Sequence, residues 1–262
     1  MRPKANAMTP YLSSSQINLY LLCGLKYKFQ YIDEIPRRFK SSGLAFGSAI
    51  HSTLSWYHKQ TMNGNGVTID RLHKIFDADW YCLKTENEIR FKEGEEEMKL
   101  VVLGKEMLAQ YFDLPRKKIK GTEIPFSVPL INPENSQSAA IELEGVIDLI
   151  EEDDTITEFK TSAQTMDSQE LGNHVQLTIY SYAFERISHK PPKSLKIVNF
   201  VKSKKPKMIS METQRGKDDY QRLYFLAGQI LKGIQQRIYF PRTSFMCKDC
   251  EYGGLCKDWK GN

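Results

Sequence analysis

The chain has 262 residues, of which 40% are hydrophobic and 26% charged, and a formal net charge of +5. That length supports a substantial core, and the composition excludes a disordered or fibrous chain. No apolar run approaches a membrane span and the opening MRPKANAMTP lacks a signal-peptide core, so an intracellular, cytoplasmic protein is expected.

Residues 1–10 read as a loose leader. Ser13 to Ser15 offer an N-cap for a helix that continues through Ile17, Leu21 and Leu25 to Tyr31. The segment DEIPRRFKSS is basic and contains a proline, and reads as a loop. GLAFGSAIHSTLSWYHKQ, residues 43–60, predicts a second helix with His51 in its middle. Helices are expected over residues 68–92 and 93–112, the latter with an acidic start suited to the positive end of a helix dipole. From Gly121 the pattern turns to strands. Glu123 to Leu130 alternates, and a Pro- and Asn-containing loop leads to IELEGVIDLIEEDDTITEFKT, two strands joined by an acidic reversal. A helix is predicted from about Gln169 to Ser188, then strands at Leu195–Val201 and Lys207–Thr213, and a last amphipathic helix from Lys217 to Tyr239. The order predicts one α/β domain: a mainly helical part over 1–120, a sheet core over 121–215, and a C-terminal helix with a cysteine segment over 216–262.

Two features set the acidic hairpin apart. Asp148 lies inside an apolar strand, where an isolated carboxylate is costly to bury without a partner. Glu158 and Lys160 are two residues apart, so their side chains leave the same face of the second strand. Two carboxylates and an ammonium on adjacent strands suit a hard divalent cation with a cation beside it to steady an anion. Alternating charges on a strand also make an ordinary solvated face, so the stretch alone leaves both readings open. Gln176 and Tyr180, four apart, share one face of the following helix.

Five cysteines in an intracellular chain do not read as a disulfide framework. Cys247, Cys250 and Cys256 have the spacing C-x2-C-x5-C. With no histidine in the tail, Cys23 is the natural fourth ligand, joining the two ends of the chain through one centre. Zinc and iron–sulfur clusters both use thiolates, and spacing does not choose between them. Cys82 reads as a core thiol.

With these residues in hand, the chain resembles the RecB-like branch of the PD-(D/E)XK nucleases, closest to the iron–sulfur members that include CRISPR-associated and AddB-type exonucleases. Cys23 with Tyr27 and Tyr31 is similar to the family's first cysteine and its aromatic followers, with Gly24 where a proline is usual. Gly47 and His51 match G-x3-H, Gly145 and Asp148 match G-x-x-D, and Glu158 with Lys160 matches (D/E)-x-K. Gln176 and Tyr180 match Q-x3-Y, and the C-terminal cysteines match the terminal triplet.

The resemblance implies a restriction-endonuclease-like core with a mixed central sheet, a helical insertion and a cysteine-bound cluster cap. It implies that His51, Asp148 and Glu158, with the Phe159 carbonyl, bind Mg²⁺ or Mn²⁺. Lys160 would orient water or stabilise phosphate charge, and Gln176 and Tyr180 would position the strand or brace the site. The four cysteines would hold an iron–sulfur cluster, 4Fe-4S, with zinc as the alternative. His174 fits no family position and reads as a surface or supporting residue. The implied activity is exonucleolytic cleavage of single-stranded DNA or DNA ends in repair, recombination, CRISPR adaptation or viral DNA processing. A helicase or CRISPR-adaptation partner is compatible with it. No G-x4-G-K-[ST] occurs, so ATP hydrolysis is not expected. Two other readings are a non-catalytic DNA-binding adaptor that keeps the fold, and a zinc-binding interaction protein.

Overall fold

The computed structural model describes residues 11–115 and 117–261; the leader expected over residues 1–10 lies outside the described residues. The framework is a six-stranded mixed sheet. Its long pair is β4 (Ile119–Ile131) with β5 (Ser138–Glu151), antiparallel over nearly their whole length. β5 turns into β6 (Thr155–Ser162), which pairs in parallel with β7 (Ser194–Val201), and β7 pairs antiparallel with β8 (Lys207–Thr213). A short N-terminal strand, β1 (Tyr11–Ser13), runs parallel to β5 at Glu142–Glu144; no strand is expected there from the residue pattern.

Local chemistry accounts for these elements. β7 reads as a near-continuous apolar run, and its central place between β6 and β8 buries nearly every residue. β4 carries Pro125 and Pro129, which an edge strand tolerates because one row of its amides faces no partner strand. The β5–β6 reversal is set by Asp153, whose carboxylate accepts the Thr155 amide at 3.1 Å, and by Asp154 in the left-handed region.

Helices cover both faces. On one lie α3 (Ser42–Met62), α4 (Ile69–Glu86) and α5 (Glu97–Phe112), packed on Leu149, Phe159, Val198 and Phe200. On the other lie α1 (Ser14–Leu22), α7 (Val175–Ser188) and α8 (Lys217–Gln235), packed on Ile147, Ile150, Ile156 and Ile197. Among the described residues, no helix is long and apolar enough to cross a membrane.

Several predicted helices differ from what the chain forms; α5 starts only at Glu97 and α8 ends at Gln235, each shorter than expected. The first predicted helix stops at Leu22. Cys23 takes an extended backbone conformation and its sulfur caps α2 (Gly24–Tyr27), accepting the Lys26 amide at 3.4 Å, before a π-turn over Lys28–Ile32. α4 ends at Glu86 instead of reaching residue 92, because Ile89–Arg90 (β3) pair with Lys40–Ser41 (β2). The helix expected over 169–188 divides into α6 (Ser168–Gly172) and α7, because His174 leaves helical geometry to cap α7.

The ends of the chain meet. Leu25 donates its amide to the Phe240 carbonyl at 3.1 Å, the Tyr20 hydroxyl bonds the Ile238 carbonyl at 2.9 Å, and Tyr252 reaches the Ile35 carbonyl at 2.9 Å. Lys26 pairs with the buried Glu251 at 2.5 Å. This corner also holds α9 (Gly253–Lys257).

Gly145 is needed for its neighbour. Phe126 lies directly opposite across the β4–β5 pair, and a Cβ at position 145 would stand 2.6 Å from its ring. Phe126 in turn packs edge-on against Tyr180 of α7, with centroids 6.0 Å apart. Gly145→Ala should therefore cost about 1–3 kcal/mol of stability by overpacking. Chemical denaturation of both proteins checks this; an unchanged midpoint would contradict the packing role.

Candidate active site

One edge of β5 is occupied by β4. On the other edge, β1 pairs over Glu142–Glu144 and β6 over only Leu149–Ile150, so the sheet opens from Gly145 to Asp148. Beyond Thr157 the backbones of β5 and β6 part. The Phe159 amide, which would otherwise have sought a β5 carbonyl, donates to the Asp148 carboxylate at 2.9 Å. Asp148 is thereby held in the mouth of the fork, 8% exposed.

Three further elements bring side chains to this opening. α3 supplies His51, whose Nδ1 lies 3.3 Å from Asp148. α3 lies close to β6 because Gly47, one turn earlier, has no Cβ; one placed there would lie 3.2 Å from the Thr161 hydroxyl. β6 supplies Glu158 and Lys160, paired at 2.6 Å. α7 supplies Gln176 and Tyr180. Lys160 donates to the Gln176 carbonyl oxygen at 2.6 Å, the Gln176 amide donates to Tyr180 at 2.7 Å, and Tyr180 donates to the Val146 carbonyl at 2.5 Å. The sequence thus runs back to β5 through hydrogen bonds, and the unpaired edge of the fork is used by the Tyr180 hydroxyl.

Glu158 is 1% exposed, and its Oε2 is buried with no hydrogen-bond partner among the described residues. Burial drives its pKa well above the usual carboxylate range; Lys160 opposes this and Asp148 adds to it. For His51, burial works against the charged ring, but its hydrogen bond to Asp148 and the charges of Asp148 and Glu158 outweigh it and raise the pKa. Tyr180 is held as the neutral phenol by burial and by the two carboxylates.

A further carboxylate that the sequence reading did not single out stands here. Glu123 falls between the Thr122–Leu149 and Ile124–Ile147 pairs, opposite Asp148, at φ +51°. Burial and the Asp148 charge raise its pKa, and it lies within electrostatic reach of His51. The available signal was the one that marked Asp148, an acid inside an apolar alternating strand. His174 caps α7, with Nδ1 accepting the Leu177 amide at 3.4 Å. Burial, with Lys160 and Arg215 nearby, lowers its pKa to about 4, so it stands beside the site uncharged.

Among the described residues, no three His, Cys, Asp or Glu side chains already form a metal-holding group. At the fork Lys160 pairs with Glu158 and His51 with Asp148. The donor set suits a hard divalent ion: one imidazole and two carboxylates, one of which, Glu158, keeps a buried oxygen without a hydrogen-bond partner among the described residues.

The four cysteines also converge. Cys23, Cys250 and Cys256 pack with Leu25, Phe29 and Tyr252, and the Cys256 thiol is within electrostatic reach of Cys23, Cys250 and Cys247. None of the four forms a disulfide. Backbone amides point at them: Lys26 donates to Cys23 and Ser244 to Cys247, both at 3.4 Å. Cys82 is exposed on α4, which corrects its reading as a core thiol.

Because Glu158 and His51 both hold protons more tightly than in free solution, a cation that uses them must displace those protons. Mn²⁺ binding should therefore release protons, and its affinity should fall as the pH drops from about 8 to about 6. Calorimetry in buffers of different ionisation enthalpy measures this. Affinity independent of pH, with no proton release, would contradict the arrangement.

The model of the PD-(D/E)XK nuclease superfamily matches residues 11–257. No curated protein matches the chain significantly. Among solved structures, a "Putative exonuclease" from Eubacterium rectale superposes with a TM-score of 0.60 at 11% identity, covering 100% of this chain and 95% of that one. Another, SSO0001, has a TM-score of 0.40 at 14% identity, covering 89% of this chain and 94% of that one. The structural likeness shows the fold, a mixed sheet flanked by helices as in restriction endonucleases, and the family match spans that whole fold. The chain belongs to the PD-(D/E)XK nuclease superfamily.

Proposed function

We propose that this nuclease is a Mg²⁺- or Mn²⁺-dependent deoxyribonuclease acting exonucleolytically on single-stranded DNA or DNA ends, within one nuclease domain. The observation that supports it most is the buried, unpartnered Glu158 oxygen beside Asp148 and His51, with Lys160 at the same carboxylate. His51, Asp148 and Glu158 would hold the divalent cation, which would supply Lewis-acid polarisation of the phosphate and activation of a water.

The chain's own residues do the rest. The Phe159 amide fixes the Asp148 carboxylate, so that group does not reorganise during turnover. Lys160, held by Gln176 and Glu158, carries positive charge toward the phosphate as negative charge develops there. Gln176 and Tyr180 keep the lysine directed and tie α7 to the fork, and they supply polar groups for the bound strand. The exonuclease and single-strand preferences rest on the sequence resemblance, with the Eubacterium rectale structure as a fold relative. An intracellular site of action, and a helicase or CRISPR-adaptation partner, belong to the same proposal.

The four thiols are proposed to hold an iron–sulfur cluster, 4Fe-4S, with zinc as the alternative. The donor chemistry fits. Cys23, Cys250 and Cys256 pack in one apolar corner with Cys247 within electrostatic reach of Cys256, and backbone amides donate to the Cys23 and Cys247 sulfurs, as they do around a bound thiolate centre. Such a centre would staple two chain ends that already meet through backbone bonds.

Digestion of end-labelled single-stranded DNA tests the activity, with Mn²⁺, with Mg²⁺ and with chelator. Asp148→Ala and Lys160→Ala should each lower the cleavage rate on the order of 10³-fold while leaving the fold and DNA binding largely intact; Asp148→Ala also strands the Phe159 amide and should cost about 1–3 kcal/mol of stability. Retained cleavage in both variants would overturn the assigned site. For the cysteines, Cys23→Ser should lower metal content and stability as much as Cys250→Ser. Unchanged iron or zinc content in Cys23→Ser, measured by elemental analysis after anaerobic purification, would remove Cys23 from the set.

A further inference from the structure

Glu123 of β4 holds a backbone conformation that strands avoid. It stands at φ +51°, in the left-handed region. For a residue with a Cβ that conformation costs energy, and it persists only where the surroundings hold it. Most other non-glycine residues at positive φ lie in turns or at helix ends, as Asp154 does at the β5–β6 reversal and His189 after α7. Glu123 lies within the long strand pair, where no turn accounts for it.

The register fixes where this residue stands. Thr122 faces Leu149 and Ile124 faces Ile147, so Glu123 is set against Asp148 itself. Side chains directly opposed on paired strands share one side of the sheet. The Thr122 hydroxyl donates to the Asp148 carbonyl at 2.9 Å and ties the two strands at this point. Ile124, one residue later, packs against the core shared with α7 and α8. Strand alternation then sends Glu123 the other way, toward α3. Its carboxylate is accordingly within electrostatic reach of Asp148 and of two α3 side chains, His51 and Lys59, which lie two turns apart.

None of these groups satisfies it. Half-buried, Glu123 makes no side-chain hydrogen bond or ion pair with another described residue, and Lys59 is exposed. A second, independent observation points to a cation beside it: the buried Glu158 oxygen also has no partner among the described residues. A hard divalent ion keeps part of its water shell, and carboxylates outside its ligand set hold those waters and orient the ligating imidazole.

We propose that Glu123 is a positioning residue of the cation site, holding the ion's water shell on the α3 side of the fork. It stands outside the set of His51, Asp148 and Glu158 and is delivered by the edge strand. The inference rests on the cation reading of the fork and deepens it. In this role the left-handed backbone aims an edge-strand carboxylate at a site that the strand does not otherwise reach.

Calorimetric titration of Mn²⁺ into the full chain, desalted into metal-free buffer at constant pH, tests this without reading cleavage. The parent should bind, and Asp148→Ala should abolish binding. Glu123→Gln should weaken the affinity about tenfold, a usual loss for a group just outside the ligand set. Glu123→Asn removes the same charge and places at this position a residue that favours the left-handed backbone. It should weaken Mn²⁺ binding as much, while its denaturation midpoint, measured without the cation, should not fall below the parent's. Glu152→Gln takes an equal charge from the exposed reversal and should bind as the parent does. Unchanged affinity in both Glu123 variants, an equal loss in Glu152→Gln, or a loss in Glu123→Asn that comes with a lower midpoint would each overturn the proposal. A parent that binds no Mn²⁺, or binding that survives Asp148→Ala, would instead remove the cation reading of the fork, and this inference with it.

Discussion

The bond from the Phe159 amide to the Asp148 carboxylate organises this protein. A sheet that paired β5 and β6 to their ends would satisfy that amide with a β5 carbonyl and leave no opening. Here the strands part after two paired positions, and an acidic side chain takes the amide in place of the backbone. The exchange leaves a carboxylate fixed at the fork, an unpaired stretch of β5, and room for α3 and α7 to deliver His51 and the Gln176–Tyr180 pair. Gly145 and Gly47 then serve approach: one admits Phe126 beneath Tyr180, the other admits α3 against β6.

The cost of this arrangement is electrostatic. Glu158 is almost wholly buried within reach of Asp148, and the pair would repel if nothing stood between them. Lys160 and His51 provide the compensation, each against one carboxylate. The compensation is incomplete, as the unpartnered Glu158 oxygen shows. In the proposed reading this deficit is what draws in a divalent cation, and the lysine is then free to serve the phosphate. A buried carboxylate kept short of partners is a poor device for stability alone, since removing it in favour of apolar packing is often neutral or stabilising.

Much of this was legible in the sequence, and the reasons are local. Asp148 stood out because an acid inside an apolar strand needs a partner, and Glu158 and Lys160 because a strand's period of two puts them on one face. Helical spacing put Gln176 and Tyr180 on one face, and the family resemblance, as for His51, assigned them to the site. What escaped was set by tertiary pairing. β1 is three residues long and exists only because β5 offers it an edge. Cys23 breaks an otherwise strong helical pattern because its sulfur caps the next turn and the corner behind it is filled by the C-terminal segment. His174 divides a predicted helix because its ring can cap α7. Glu123 was passed over as one residue of an alternating strand; its bearing on the fork appears only when β4 is registered against β5.

The central claim is that the fork between β5 and β6 is built to hold a divalent cation on His51, Asp148 and Glu158. Anomalous diffraction from crystals soaked in Mn²⁺ tests it most directly. The account predicts a Mn²⁺ peak bounded by those three side chains, with Asp148 still accepting the Phe159 amide and Lys160 turned from Glu158 toward the open site. A well-ordered, Mn²⁺-soaked crystal with no peak at the fork, or with the ion bound elsewhere while Lys160 remains on Glu158, would contradict it.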